Sequence, residues 1–364
     1  MIRFFHRFDW ILFVSVVLLL GLGLAALYPI SQAGAQKPGD ESHFWKQVFF
    51  CAVGLAAFFA FSVFDYRNLK NYSTALFLGG LVLLLMVLVF GKVIRGTTGW
   101  IGIGGFHLQP VEPFKVIAAI ALAKYFSLHA RSLNDWKHIF ISFVPVVFSI
   151  LLILKQPDLG SALVIVFLWV AVLLMSGVNK KHLLILLAVA VIISLAAWLF
   201  FLKDYQKERI TTLFNPNADP LGAGYNVIQS TVAVGSGGFW GKGLGHGSQS
   251  QLNFLPEKHT DFIFAVISEE LGFGGAIFVF LLAGTVIVRS IRIAKNSRDG
   301  FGKILAGGIA SVFFVQSLIN IGMNIGVMPV TGITLPFLSY GGSSLITMLA
   351  GMGILESIHK TSRR

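Results

Sequence analysis

Long apolar runs alternate with short polar connections along almost the whole chain. A helix needs roughly 17 to 25 apolar residues to cross a hydrocarbon core of about 30 Å. Backbone amides in lipid must be satisfied within their own segment, so each run is predicted to be a helix. The predicted cores are Trp10–Ile30, Val48–Phe64, Thr74–Gly91, Val116–Leu128, Ile139–Leu154, Ser161–Val178, Leu183–Leu202, Leu271–Val288, Ile304–Ile325 and Ser344–Leu355. This pattern predicts an all-α, polytopic integral membrane protein with about ten transmembrane helices, forming one transmembrane domain over residues 1–364. An even number of spans puts both termini on one side. Most connections are short, but 203–260, between the seventh and eighth spans, is a large loop of the kind that carries function.

Composition agrees: 55% of residues are hydrophobic and 12% charged, which excludes an ordinary water-soluble domain. The net charge of +12 matters through its placement. Most basic residues, among them Arg3, Arg67, Lys124, Lys180, Arg292 and Arg364, fall on the side of the termini. The positive-inside rule makes that side cytoplasmic and the 203–260 loop extracytoplasmic. The basic excess therefore reads as topology plus attraction to anionic lipid, not as a nucleic-acid site. Cys51 stands alone in an apolar run and carries no redox signal. The basic N-terminus lacks a small-residue cleavage site, so the first helix is expected to be retained.

Against this background the acidic residues of "FLPEKHTDFIFAVISEELG" stand out. Thr260 is placed to cap a helix with Asp261 in its first turn, where the helix dipole alone would stabilise a carboxylate. Glu269 and Glu270 follow about 12 Å further along the helix axis, at or inside the outer leaflet, where ionisable groups normally face a bundle interior or a wet cavity. In "LQPVEPFK", Glu112 and Lys115 are three apart on one helical face, fit either to neutralise each other or to grip a polar substrate group. "KQPDLGSA" offers Lys155 and Asp158, the latter placed as a helix cap. "PVTGITLPFLSYGGSS", with Tyr340 and Ser343, cannot be regular helix throughout, and irregular backbone at membrane depth has to be buried or line a cavity. Gln316, Asn320 and Asn324 form an i, i+4, i+8 stripe that reads as interhelical glue. The acidic and loop clusters all fall on the outward side, which implies a polar, carboxylate-bearing cavity open toward the outer leaflet.

The stretches "NPNADPLGAGYNVIQS", "GHGSQSQLNFLPEKHTDFIFAVISEELG" and "PVTGITLPFLSYGGSS", with "KQPDLGSALV" and "LQPVEPFK", strongly resemble the SEDS family (shape, elongation, division and sporulation) of bacterial cell-wall proteins, nearer its elongation branch. The resemblance spans essentially the whole chain. It implies ten membrane helices in the bacterial cytoplasmic (inner) membrane and a peptidoglycan glycosyltransferase acting on lipid II. It also implies work alongside a class B penicillin-binding protein, the cross-linking transpeptidase, within the elongation machinery. The family's essential aspartate in "HTDFIF" falls on Asp261. The acidic and basic positions of its QPSExxK motif fall on Glu112 and Lys115, with Val111 where serine is usual. Asp261 is the candidate catalytic base and equally a candidate ligand of a divalent cation, Mg²⁺ or Mn²⁺. Glu112, Lys115, Lys155, Asp158, Glu269, Tyr340 and Ser343 are candidate substrate contacts. Lys115, Lys155 or Arg95 could supply positive charge to the leaving pyrophosphate. Two other readings suit the same pattern: a lipid II flippase, and a non-catalytic scaffold for a cell-wall synthase.

Overall fold

The computed structural model describes residues 8–33, 41–94, 96–103, 106–130, 132, 135–201, 204–222 and 224–362. Arg95, the Leu202 end of the seventh predicted core, the first residue of the 203–260 loop and the terminal Arg3 and Arg364 lie outside the described residues. The chain opens with α1 (Trp10–Ala33), α2 (Glu41–Val63) and α3 (Arg67–Phe90). Three short strands follow, β1 (Lys92–Ile94), β2 (Thr97–Ile103) and β3 (Phe106–Leu108). Next come α4 (Val111–Leu128), α5 (Trp136–Lys155), α6 (Leu159–Ser176) and α7 (Lys180–Ala196). The long connection contains α8 (Asp204–Phe214), α9 (Tyr225–Ser236) and the single turn α10 (Ser248–Gln251). The chain ends with α11 (Ile263–Asn296), α12 (Gly300–Asn324) and α13 (Gly342–Ser362). Each of the ten predicted runs falls on a helix, and the protein is a polytopic, predominantly α-helical membrane protein. Among the described residues eight helices are long and apolar enough to span by composition alone. The other two counted spans, α4 and α13, carry buried charge: Glu112 and Lys115 in one, Glu356 in the other.

Helix α12 is the axis of the bundle. In its apolar window 83% of residues are buried, against none in α7, which lies wholly at the periphery. Lipid supplies no hydrophobic drive between helices, so close backbone approach and interhelical hydrogen bonds hold the bundle. The pairing of α2 with α13 depends on such approach: a β-carbon at Gly353 would meet the Phe58 carbonyl oxygen at 2.4 Å.

Three features depart from the sequence expectation. The glycine-rich connection before α4 is an antiparallel sheet in the order β1-β2-β3, with Lys92 opposite Trp100 and Ile101 opposite Leu108. Alternating β-branched and aromatic residues support it despite the glycines. Helix α11 begins at Ile263 rather than beside Thr260, so Asp261 sits in a turn ahead of the helix and Thr260 is not its cap. The run after Glu270 is also not continuous: Gly272, at φ 64° and ψ −160°, breaks α11. A loop enters the break. A β-carbon at Gly272 would lie 2.3 Å from the Gly241 nitrogen, so only glycine admits the loop. The amides of Lys242 and Gly243 donate to the carbonyls of Glu269 (3.1 Å) and Glu270 (2.9 Å), and Phe273 N donates to Gly238 O at 2.9 Å.

Candidate active site

The sheet, the 251–262 turns, the start of α6 and the irregular 325–341 segment enclose a cavity of about 560 Å³ at the end of the bundle that the basic-residue distribution assigns to the outside. Asp158, Glu257 and Asp261 line it, with Trp100, Tyr340 and Ser343. Among the described lining residues there is no lysine, arginine or histidine.

Asp261 is placed by its backbone. Its carbonyl accepts from the side-chain amides of Asn320 (3.0 Å) and Asn324 (2.9 Å), and its amide donates to Glu257 O at 3.1 Å. Asn324 Oδ1 accepts from Ala265 N at 3.0 Å, so the first turn of α11 is capped from α12. The turn is held from the opposite side as well. Ser339 Oγ donates to Thr260 O at 2.6 Å and accepts from Leu335 N at 2.7 Å, while Tyr340 N donates to His259 O at 2.8 Å. Asn320 also donates to Ile333 O at 2.7 Å, tying the irregular segment to the same axis. The polar stripe on α12 is therefore glue, as expected, and Asn320 and Asn324 within it hold the turn that bears Asp261. At Gly332, whose φ of 76° favours glycine, even a β-carbon would lie 3.6 Å from Asp261 Oδ2.

Asp158 caps α6, its Oδ1 accepting from Ser161 N at 2.8 Å. Its other oxygen accepts from Gln109 Nε2 at 3.3 Å, and Gln109 N donates to Ser343 Oγ at 2.9 Å. One chain of hydrogen bonds thus links the start of α6, the lead-in to α4 and the start of α13 along one wall. Burial pushes the Asp158 carboxyl above its ordinary range, against the Ser161 amide and the Lys115 charge, which pull it down.

Glu112 and Lys115 lie behind this wall. Pro113 sits in the first turn of α4, where proline is tolerated. Lys115 Nζ reaches Glu112 Oε1 at 2.7 Å in an almost fully buried pair, and Gln316 Nε2 approaches Glu112 Oε2 at 3.5 Å. The two charges neutralise each other inside the bundle, and Lys115 is felt at Asp158 only through space. Lys155 is exposed on the last turn of α5 and does not line the cavity. Glu269, fully buried, is also absent from the lining. It pairs with Lys242 at 2.8 Å and accepts from the amides of Gln249 (2.9 Å) and Ser250 (3.1 Å), clasping the glycine-rich loop. Glu269→Ala is expected to cost roughly 1.5–3 kcal/mol, the range for hydrogen bonds to a charged group. Thermal unfolding in detergent and limited proteolysis of the 242–251 stretch measure it; an unaltered melting temperature would rule out the clasp.

Sequence reasoning thus finds four of the cavity residues, Asp261, Asp158, Tyr340 and Ser343, and misses Glu257 and Trp100. Glu257, in the left-handed region at φ 48°, sits in the same acidic stretch as Asp261, which was the available signal.

The family profile described as "Cell cycle protein", FtsW/RodA/SpoVE, matches residues 9–364. The chain belongs to this family. Stage V sporulation protein E of Bacillus subtilis is 39% identical over 98% of this chain and 98% of its own length. Peptidoglycan glycosyltransferase MrdB of Escherichia coli is 37% identical over 94% of this chain and 92% of its own. Among solved structures, a chain from a peptidoglycan synthase complex, described for the structural coordination of polymerization and crosslinking, superposes with a TM-score of 0.82. It is 34% identical and covers 98% of this chain and 99% of that one. The rod shape determining protein RodA of Thermus thermophilus gives a TM-score of 0.72 at 28% identity, with 98% of each chain covered. In this SEDS member the cavity is thus built from segments that carry the family motifs: "KQPDLGSA", "EKHTDF" and "SYGGSS".

Proposed function

We propose that this chain is the peptidoglycan glycosyltransferase of a bacterial inner membrane, polymerising lipid II during cell elongation. The 4-hydroxyl of a GlcNAc residue in one lipid-linked unit attacks the anomeric carbon of MurNAc in another. The C1–oxygen bond to undecaprenyl diphosphate breaks with inversion, and a β-1,4 bond forms. The attacking hydroxyl must lose its proton, and a carboxylate within about 2.6–3.2 Å can accept it. The observation that carries this reading is the position of Asp261: it lines the outward cavity on a turn fixed by backbone hydrogen bonds from two other elements. Asp261 is the base in this scheme, Tyr340 and Ser343 contact sugar, and Asp158 holds the wall in register through its cap.

Among the described residues no three His, Cys, Asp or Glu side chains cluster closely enough to cage a metal ion. A hard divalent cation is commonly held by only one or two carboxylates plus phosphate oxygens. Asp261 and Glu257, lining a cavity without described cationic side chains, fit that role, and the ion would supply charge to the leaving diphosphate. The partner is a class B penicillin-binding protein that cross-links the product, a reading supported by the fold shared with a chain of the synthase complex.

The test is polymerisation of fluorescent lipid II by the purified protein in detergent, where no leaflet remains to be crossed. Glycan strands are the expected product. Their absence, with or without the transpeptidase, would favour a flippase or a scaffold. Exhaustive EDTA is expected to abolish polymerisation, and Mn²⁺ or Mg²⁺ to restore it. Full activity after chelation would exclude an exchangeable ion.

A further inference from the structure

A second cavity, of about 280 Å³, lies in the opposite, cytoplasmic half of the bundle, between α3, α4 and α5, and the buried Ile165 of α6 closes its back. Its walls run from Ile141 to Ser149 along α5 and from Ala118 to Leu128 along α4. At 1.5 Å per residue these stretches are about 12 and 15 Å long, the depth of one leaflet of a hydrocarbon core about 30 Å thick. Leu128 and Ile141 on its lip are exposed, so it opens sideways to lipid. The interior is apolar despite its serines. Ser73 donates to Lys70 O at 3.0 Å, Ser142 to Ile139 O at 2.8 Å and Ser149 to Pro145 O at 2.8 Å, each hydroxyl turned back to its own helix. A water would lack the roughly two to four polar partners it needs there. An unfilled void, for its part, forfeits the dispersion contacts of its lining. An acyl chain answers both.

The mouth of this slot is polar and cationic, and it faces the side that the basic-residue distribution makes cytoplasmic. Lys124 lines it and donates from Nζ to Thr74 Oγ1 at 3.1 Å, a neutral partner. No acidic residue occurs among the described lining. Lys70 stands one helical turn before Thr74 on the same face of α3 and adds a second positive charge. On the far side the Tyr125 hydroxyl lies 3.0 Å from His138 Nδ1, tying the end of α4 to the start of α5. We infer that this cavity binds an anionic glycerophospholipid of the cytoplasmic leaflet, with the phosphate on Lys124 and one acyl chain in the slot. A lysine near a helix end keeps its ammonium at headgroup level while its stem covers apolar surface, so the charge meets such a phosphate directly. Basic pockets between transmembrane helices on the cytoplasmic side recognise anionic headgroups by the same electrostatics. A phosphatidylcholine headgroup would instead bring its own cation up against Lys124 and Lys70. The inference stands apart from the glycosyltransferase reading, because none of these residues lines the outward cavity.

The test is native mass spectrometry of the full-length protein in detergent, titrated with dioleoyl phosphatidylglycerol or dioleoyl phosphatidylcholine. Wild type is expected to retain one phosphatidylglycerol at least tenfold more tightly than phosphatidylcholine. Lys124→Gln should lose that preference, and Lys124→Arg should keep it. Ala121→Phe, which puts a ring into the slot, should weaken retention of phosphatidylglycerol at least tenfold with the mouth intact. Lys303→Gln, which removes an exposed cation at the same face but outside the slot, should bind as wild type does. Glycerol phosphate, with the anion and no chain, should not compete. Equal retention of the two lipids by wild type would make the slot a neutral chain groove and overturn the inference. A wild-type preference in Lys124→Gln, eluting as a monodisperse peak, would overturn it as well. Loss in Lys124→Gln with full retention by a well-folded Ala121→Phe would leave a surface anion patch without a chain slot, and would sink it equally.

Discussion

Asp261→Asn is expected to lower lipid II polymerisation at least about 100-fold, since general-base catalysis contributes roughly 10²–10⁴ in rate. The substitution keeps the shape of the side chain and removes its charge and basicity. The backbone contacts that place residue 261 run through its own carbonyl and amide, so they survive the change. Melting temperature and co-purification with the proposed transpeptidase partner should stay at wild-type values. The assay is single-turnover or steady-state polymerisation of labelled lipid II in detergent. Activity within a few-fold of wild type would remove Asp261 from the chemistry and leave the cavity a binding site only.

The second large effect is expected at a residue that lines no part of the cavity. Asn324 is fully buried, and its side chain serves Asp261 O and Ala265 N at once. Asn324→Ala leaves the Ala265 amide without its acceptor, at a cost of about 1–3 kcal/mol for a buried unsatisfied group. It also removes one of the two amides that hold the Asp261 carbonyl. A misplacement of about 1 Å can cost on the order of 100-fold in rate, so kcat should fall tenfold or more while KM for lipid II changes little. If Asn324→Ala melts earlier but turns over normally, the residue holds the fold and does not position the acid.

These expectations turn on contacts of unequal legibility. Asp158 was readable as a cap because a cap is local: an aspartate and an amide three residues on suffice. Pro113 is local in the same sense, since proline is tolerated only in the first turn, where α4 has it. The setting of Asp261 was not readable in the same way, since the groups that stop α11 short of Thr260 lie on α12 and in the 325–341 segment. The stripe Gln316, Asn320, Asn324 was visible, but its partners across the bundle were not. Glu269 looked like a substrate ligand from its depth in the membrane, because the lysine that satisfies it stands 27 positions earlier in a loop with no periodic signal. The sheet was obscured by its glycines. The span count followed from hydropathy because in lipid the backbone has so few alternatives.

The interruption at Gly272 divides α11 mechanically. The stub from Ile263 to Leu271 is bolted to the glycine-rich loop through the Glu269 and Glu270 carbonyls, so it belongs to the external cap of the molecule rather than to the lipid-embedded rod. Asp261 rides at the tip of that stub. Any displacement of that cap would therefore run along the stub to the acid and work against the Asn320 and Asn324 bonds that tie the turn to α12.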